Sequence, residues 1–209
     1  MKYYSQYKQD QFLNENFFKN KRNGIFVDIG AYDGIEGSNS YFFEKHLEWK
    51  GLCVEPIPSV FNKLIKNRNC FCEQVAAWKE NDIKKFKIIE GYSEMLSGLI
   101  DSYEDEHKKR IDSEIEAFNQ KSIEIEIQCI DINLLLLKYD LYNIDFLSID
   151  IEGSEIEILK KLDFSKFKIE YISVENNYNN SEIREILKKA NFELISRLNI
   201  DDIYKNSKL

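Results

Sequence analysis

Three acidic residues stand out by type and spacing. Asp150 and Glu152 follow the apolar run Phe146–Ile149, and Glu175 follows the apolar run Tyr171–Val174. If both runs are strands of one parallel sheet, the three carboxyls meet at its C-terminal edge. Carboxylates that converge repel one another. Either their mutual repulsion raises one pKa and makes that carboxylate a competent base, or the group takes a divalent cation. The competing role is local, with Asp150 or Glu152 capping the helix that begins at Ser154. The two histidines offer less: His46 reads as a surface or packing residue of a helix, and His107, in a charged stretch, is read as not the base.

A second group begins at Phe26-Val27-Asp28-Ile29-Gly30-Ala31-Tyr32-Asp33-Gly34, where a strand pattern passes through a glycine loop into a helix. Such a loop lets backbone approach a ligand beside free N–H groups at the helix start. A dinucleotide site would need glycine at position 32, where backbone meets a pyrophosphate, and Tyr32 stands there instead. No Gly-Lys-Ser/Thr follows, which excludes a P-loop. An acid at the strand end, Asp28, favours a cationic ligand without phosphate, and S-adenosylmethionine carries a sulfonium and an ammonium. A glycine turn that only closes a strand–helix connection is the plainer alternative. Glu55, at the end of the next strand, is placed to accept hydrogen bonds from ribose hydroxyls.

A sheet must hold these residues, and the hydrophobic pattern predicts one. Strands are expected over Ile25–Ile29, Gly51–Val54, Cys70–Trp78, Phe146–Ile149 and Tyr171–Val174, with Phe192–Arg197 and Ile203–Tyr204 closing the chain. Helices are expected over Ser5–Asn20, Ser38–Glu48, Pro58–Asn67, Ile132–Tyr139, Ser154–Leu162 and Ser181–Lys189, the last with Ser181 as N-cap. Alternating strands and helices give an α/β fold with a parallel sheet and its loops on one edge. The middle departs from this. Ile83–Ile89 and Ser122–Ile130 read as a strand pair, the second alternating Ile and Glu. Between them Glu90–Gln120, with the charge run Glu104–Arg110, is either a mobile lid or a solvated helix.

A length of 209 residues and 43% hydrophobic content suit one domain with one buried core. The net charge of −8 opposes binding to nucleic-acid phosphates. The four cysteines form no C-x-x-C pair and read as buried, reduced thiols. Met1–Asp10 is too polar for a signal peptide, and no apolar run approaches the ~18 residues of a membrane helix, so the expected compartment is the cytoplasm.

Five stretches resemble the FkbM-type methyltransferases: Ser5–Asp10, Phe26–Asn39 (FVDIGAYDGIEGSN), Trp49–Pro56 (WKGLCVEP), Leu147–Leu159 (LSIDIEGSEIEIL) and Val174–Asn177. The resemblance implies a Rossmann-like class I methyltransferase fold, with a seven-stranded, mostly parallel sheet whose last strand is antiparallel, and here a small β insertion over residues 83–130. It implies S-adenosylmethionine as methyl donor. Carried over residue by residue, Asp28, Gly30, Asp33 and Gly34 line its methionine part, and Ser38 joins the cofactor-binding set. Glu55 holds the ribose, and Ala76 lies near the adenine. Gln6 and Asp10 come from a segment, residues 1–20, folded over the cofactor. Asp28 departs from the family's frequent Glu, and little length is left at either end for a substrate-binding extension. The implied activity is O-methylation of a sugar, nucleotide-sugar or related small metabolite, with surface polysaccharide biosynthesis as one setting. The catalytic candidates are Asp150, Glu152 and Glu175, which a divalent cation would also use. A protein or lipid acceptor, or a non-catalytic protein that keeps the fold, are the alternatives, and a homodimer is compatible with the sequence.

Overall fold

The computed structural model describes residues 1–103 and 105–209. Glu104, which opens the charge run, lies outside them. The first half holds α1 (Gln9–Leu13, continued by a π-helical turn), β1 (Ile25–Ile29), α2 (Tyr41–Leu47), β2 (Lys50–Val54), α3 (Pro58–Asn67) and β3 (Phe71–Glu73). Then come β4 (Ala76–Trp78), β5 (Asp82–Glu90), β6 (Gly98–Leu99), α4 (Asp105–Ala117) and β7 (Lys121–Asp131). The second half holds α5 (Ile132–Lys138), β8 (Asn143–Ile149), α6 (Glu155–Lys161), β9 (Lys168–Glu175), α7 (Ser181–Lys189), β10 (Phe192–Leu198) and β11 (Asp201–Asn206).

Seven strands form one sheet in the order β3-β2-β1-β8-β9-β11-β10. The five strands from β3 to β9 run parallel, and β11 runs antiparallel to both of its neighbours. This is the expected seven-stranded sheet with its last strand reversed. Its two faces follow from the period-2 alternation of a strand buried on both sides. On β1, Val27 and Ile29 pack with α5, α6 and α7 through Leu135, Leu136, Leu159 and Leu187. Phe26 faces the other way, into an aromatic layer with Leu13, Phe42, Phe43 and Trp49. Strand order reverses between β1 and β8, the place where such sheets open a crevice at their C-terminal edge.

Four expectations change. The strand expected over Cys70–Trp78 is two strands: β3 pairs with β2, and β4 leaves to pair with the end of β7 in a second sheet, β4-β7-β5-β6. Ala76 and Trp78 are drawn there by a separate core with Phe86, Ile88 and Leu99. Cys53 and Cys129 are buried, but Cys70 and Cys72 are only half-buried, because β3 is the sheet's edge; all four thiols are free. α7 is capped by Asn180, whose side chain accepts from the Glu182 N–H, and Ser181 is its first helical residue. In Glu90–Gln120, residues 105–117 form α4, with His107 and Ile111 turned inward and Lys108, Lys109 and Asp112 outward. β5 and β7 pair antiparallel as expected. Among the described residues no helix is long and apolar enough to cross a membrane.

Gly30 shows what its loop demands. Its φ is +84°, and a Cβ there would lie 1.7 Å from the carbonyl oxygen of Asp150. The missing side chain thus makes room for a neighbouring strand end. Gly30→Ala is expected to cost about 3 kcal/mol or more. Thermal unfolding checks this, with an expected fall in Tm of roughly 6 °C or more; an unchanged Tm would contradict it.

Candidate active site

Register sets the geometry of the sheet's C-terminal edge. Ile29 pairs with Val54 on one side and Ile149 on the other, and Ile149 pairs with Val174. The next residue of each strand is therefore level with the others, giving a row Glu55, Gly30, Asp150, Glu175. Asp201, opposite Glu175 on β11, extends it. The row opens on a cavity of about 670 Å³, within the range of about 300–1,000 Å³ that small-molecule sites occupy. Gln6, Gly30, Glu55, Ala76, Asp150, Glu152 and Glu175 all line it.

Glu55 is 5% exposed. Its Oε1 accepts from the Ile57 N–H at 2.7 Å and its Oε2 from the Tyr32 N–H at 3.1 Å. Burial outweighs these two bonds, with some repulsion from Glu94, and pushes the carboxyl up to about 8. It is a carboxylate short of donors, with lone pairs left on both oxygens.

Asp150, Glu152 and Glu175 bring one carboxylate oxygen each within 4.8 Å of one another. Burial, reinforced by their neighbours, holds all three well above the usual carboxylate range. Asp201, Glu155 and Asp28 act on Asp150, while Asp150 acts on both Glu152 and Glu175. Glu152 has a left-handed backbone (φ 54°) and is followed by Gly153 at φ 109°, a tight turn that folds its side chain back beside Asp150. Asp201, hydrogen-bonded by the Gln9 side chain, is raised to about 6 by burial. Neither Asp150 nor Glu152 caps α6, whose N-cap Ser154 makes no side-chain capping bond. Glu155 instead holds the turn before the helix, accepting from the Ile151 and Gly153 N–H groups at 3.1 Å. Asp150 and Glu152 are left facing the cavity.

The other expected cofactor residues stand behind the wall. Asp28 is buried and accepts from Ser40 Oγ at 2.5 Å and Ser38 Oγ at 3.4 Å. Ser40 accepts from Arg68, which also pairs with Glu44 at 2.5 Å, so this network ties β1 to α2 and α3 beneath the loop. Asp33 accepts from the N–H groups of Ile35 and Glu36, closing a turn. Gly34, at φ +84°, lets Leu64 and Arg68 close in. Asp10 gathers the Tyr4 N–H and the Ser5 hydroxyl, and so shapes the segment that carries Gln6 and Tyr7 to the cavity. His46 packs against Tyr4 and Phe42.

Sequence reasoning missed the outer wall. Phe86, Tyr92, Glu94, Leu96, Leu99, Arg110, Glu114 and Phe118 all come from the region between β4 and β7. Tyr32, weighed only as a missing glycine, donates its hydroxyl to Glu94 Oε2 at 2.7 Å and joins that wall to the glycine loop. The available signal was the pair Tyr92 and Phe118, large aromatics in a polar stretch, which pack with ring centroids 4.7 Å apart at the mouth.

Comparison with known proteins adds three findings. The family described as Methyltransferase FkbM domain matches residues 28–194. The crystal structure of a methyltransferase FkbM from Methylobacillus flagellatus KT shares 11% identity with a TM-score of 0.45, over 89% of this chain and 44% of its own. The chain thus spans less than half the length of that protein. The methyltransferase domain of a protein named METTL16 shares 12% identity with a TM-score of 0.43, over 95% of this chain and 78% of its own. No curated protein sequence matches the chain.

Proposed function

The chain belongs to the methyltransferase FkbM domain family, and we propose that it moves a methyl group from S-adenosylmethionine to a hydroxyl of a sugar, nucleotide-sugar or related small metabolite. The observation that carries this reading is Glu55: a buried, donor-short carboxylate at the end of β2, facing a cavity of ligand size. A ribose supplies the donors it lacks, two adjacent hydroxyls, and the residues therefore fit the cofactor.

Ile57, Ala76 and Ala77 give the neighbouring wall an apolar lining suited to a planar base. Gln6, from the segment of residues 1–20, covers the cofactor, and residues 83–130, an insertion within one methyltransferase domain, close the far side. When bound, S-adenosylmethionine supplies a methyl group on a sulfonium that departs as a neutral thioether. The chain's own residues align the acceptor and receive its proton, because an alcohol needs help to lose it. Asp150, Glu152 and Glu175 are placed for that, since burial and their mutual repulsion raise their affinities for protons. The exposed faces of Tyr92 and Phe118 offer a flat apolar surface to one side of a sugar ring.

Calorimetric titration with S-adenosylhomocysteine, followed by transfer of labelled methyl to a panel of sugars and nucleotide-sugars, tests the proposal. Saturable micromolar binding and label in a sugar ether are expected. A folded protein that binds neither cofactor nor product would sink the enzyme reading, and label found only in protein or lipid would replace the acceptor.

A further inference from the structure

We propose that Asp150, Glu152 and Glu175 together bind one divalent cation of the magnesium or manganese type. One oxygen from each lies within 4.8 Å of the others, and all three residues line the cavity. Among the described residues, no lysine or arginine reaches them within ion-pair distance; Arg110 acts on Glu152 only from farther away.

An acidic cluster alone would not make a site. A second observation points to an occupant. His107, on α4, is 2% exposed, and its Nε2 has no hydrogen-bond partner. That atom faces Glu152 Oε2, which is also buried and without a partner, across 3.8 Å. The gap is too wide for a hydrogen bond, and two orphaned polar atoms facing each other in a protein interior are uncommon. A cation held by Glu152 gives this carboxylate the counter-charge it lacks.

The donor set selects the ion. Three carboxylates and no thiolate suit a hard cation rather than zinc or copper. They fill about half of the six positions of an octahedral ion, and the rest face the cavity. An acceptor with a hydroxyl beside a second oxygen, as in a sugar diol, has the chemistry to occupy two of them. That last step rests on the methyl-transfer reading; ion binding does not.

The test is titration of the metal-free full chain with Mn²⁺, followed by loss of the free-ion EPR signal, with Mg²⁺ as competitor. One Mn²⁺ per chain is expected, displaced by Mg²⁺ and bound at least about tenfold more weakly by Asp150→Asn, Glu152→Gln and Glu175→Gln. Should the variants misfold, Tb³⁺ luminescence sensitised by the wild type's aromatic residues, and quenched by Mg²⁺, carries the same information. No saturable binding by the folded wild type overturns the site, as does binding that all three folded variants retain. S-adenosylhomocysteine titrated into the same samples separates the two proposals. Its binding without ion binding removes the cation and leaves methyl transfer, and the reverse leaves the cation alone.

Discussion

Glu55→Ala is expected to weaken S-adenosylhomocysteine binding by about a hundredfold. Two hydrogen bonds to a carboxylate contribute together about 3 kcal/mol, and 1.4 kcal/mol is tenfold in Kd. The variant should fold, because the backbone groups that Glu55 accepts from, Tyr32 and Ile57, lie beside the cavity and regain partners from water. A pH dependence comes with it. Burial holds Glu55 near 8 in the ligand-free protein, while ribose hydroxyls donate best to the ionised form. Affinity is therefore expected to rise about tenfold between pH 6 and pH 7 and to level off above 8. Calorimetry across that range checks both parts. A folded Glu55→Ala protein with wild-type affinity would remove Glu55 from the site, and a flat pH profile would remove its titration.

Asp150→Asn is expected to lower the methyl-transfer rate by about 10²–10⁴-fold while making the ligand-free protein more stable. The two effects have one cause. Asp150 is half-buried among Asp201, Glu155 and Asp28, and its proton affinity is raised well above the ordinary carboxylate value. A carboxyl raised on folding contributes stability that is present below its unfolded pKa and is lost as pH rises through the folded one. At pH 8 folding therefore costs the wild type either the buried charge or its protonation, a cost the amide lacks and one that shrinks toward pH 4. The expected gain is about 2 kcal/mol, or roughly 5 °C in Tm, near pH 8, shrinking toward pH 4. Melting curves at the two pH values, beside initial rates, decide it. A variant equally active, or less stable at pH 8, would mean that Asp150 does not bear this charge. A destabilising residue kept at a cavity wall is what function requires and packing alone does not.

The central row was legible because strand ends can be read from hydrophobic runs. Once Ile29, Val54, Ile149 and Val174 are taken as last residues of parallel strands, Glu55, Asp150 and Glu175 must share an edge. The split between β3 and β4 was not legible. Cys70–Trp78 carries one continuous strand pattern, and only pairing with Cys129, Ile130 and Asp131 pulls its second half away. The loop acids were ambiguous for a similar reason. Asp28 has the same residue type whether it meets a ligand or Ser40, and the deciding partner, Arg68, lies forty residues on, just past the end of α3. The outer wall was hidden altogether. Tyr92 and Phe118 are far apart in the chain, and they meet because the β5–β7 ladder brings Glu90 opposite Lys121.

The placement of β11 has a consequence for how the chain folds. Among the described strands, β10 pairs with β11 alone, and β11 is tied to the rest of the sheet by its ladder with β9. The two strands are joined by a short turn, so their pairing closes a small loop and can form in microseconds, whereas docking on β9 waits for a sheet assembled from distant segments. They are thus one cooperative unit. Severing a single ladder releases both strands, and with them Asp201 and its link to Gln9 near the start of the chain. In native-state hydrogen exchange, the amides of β10 and β11 should open together, at a lower free energy than those of β1 and β8, which are flanked by parallel partners on both sides.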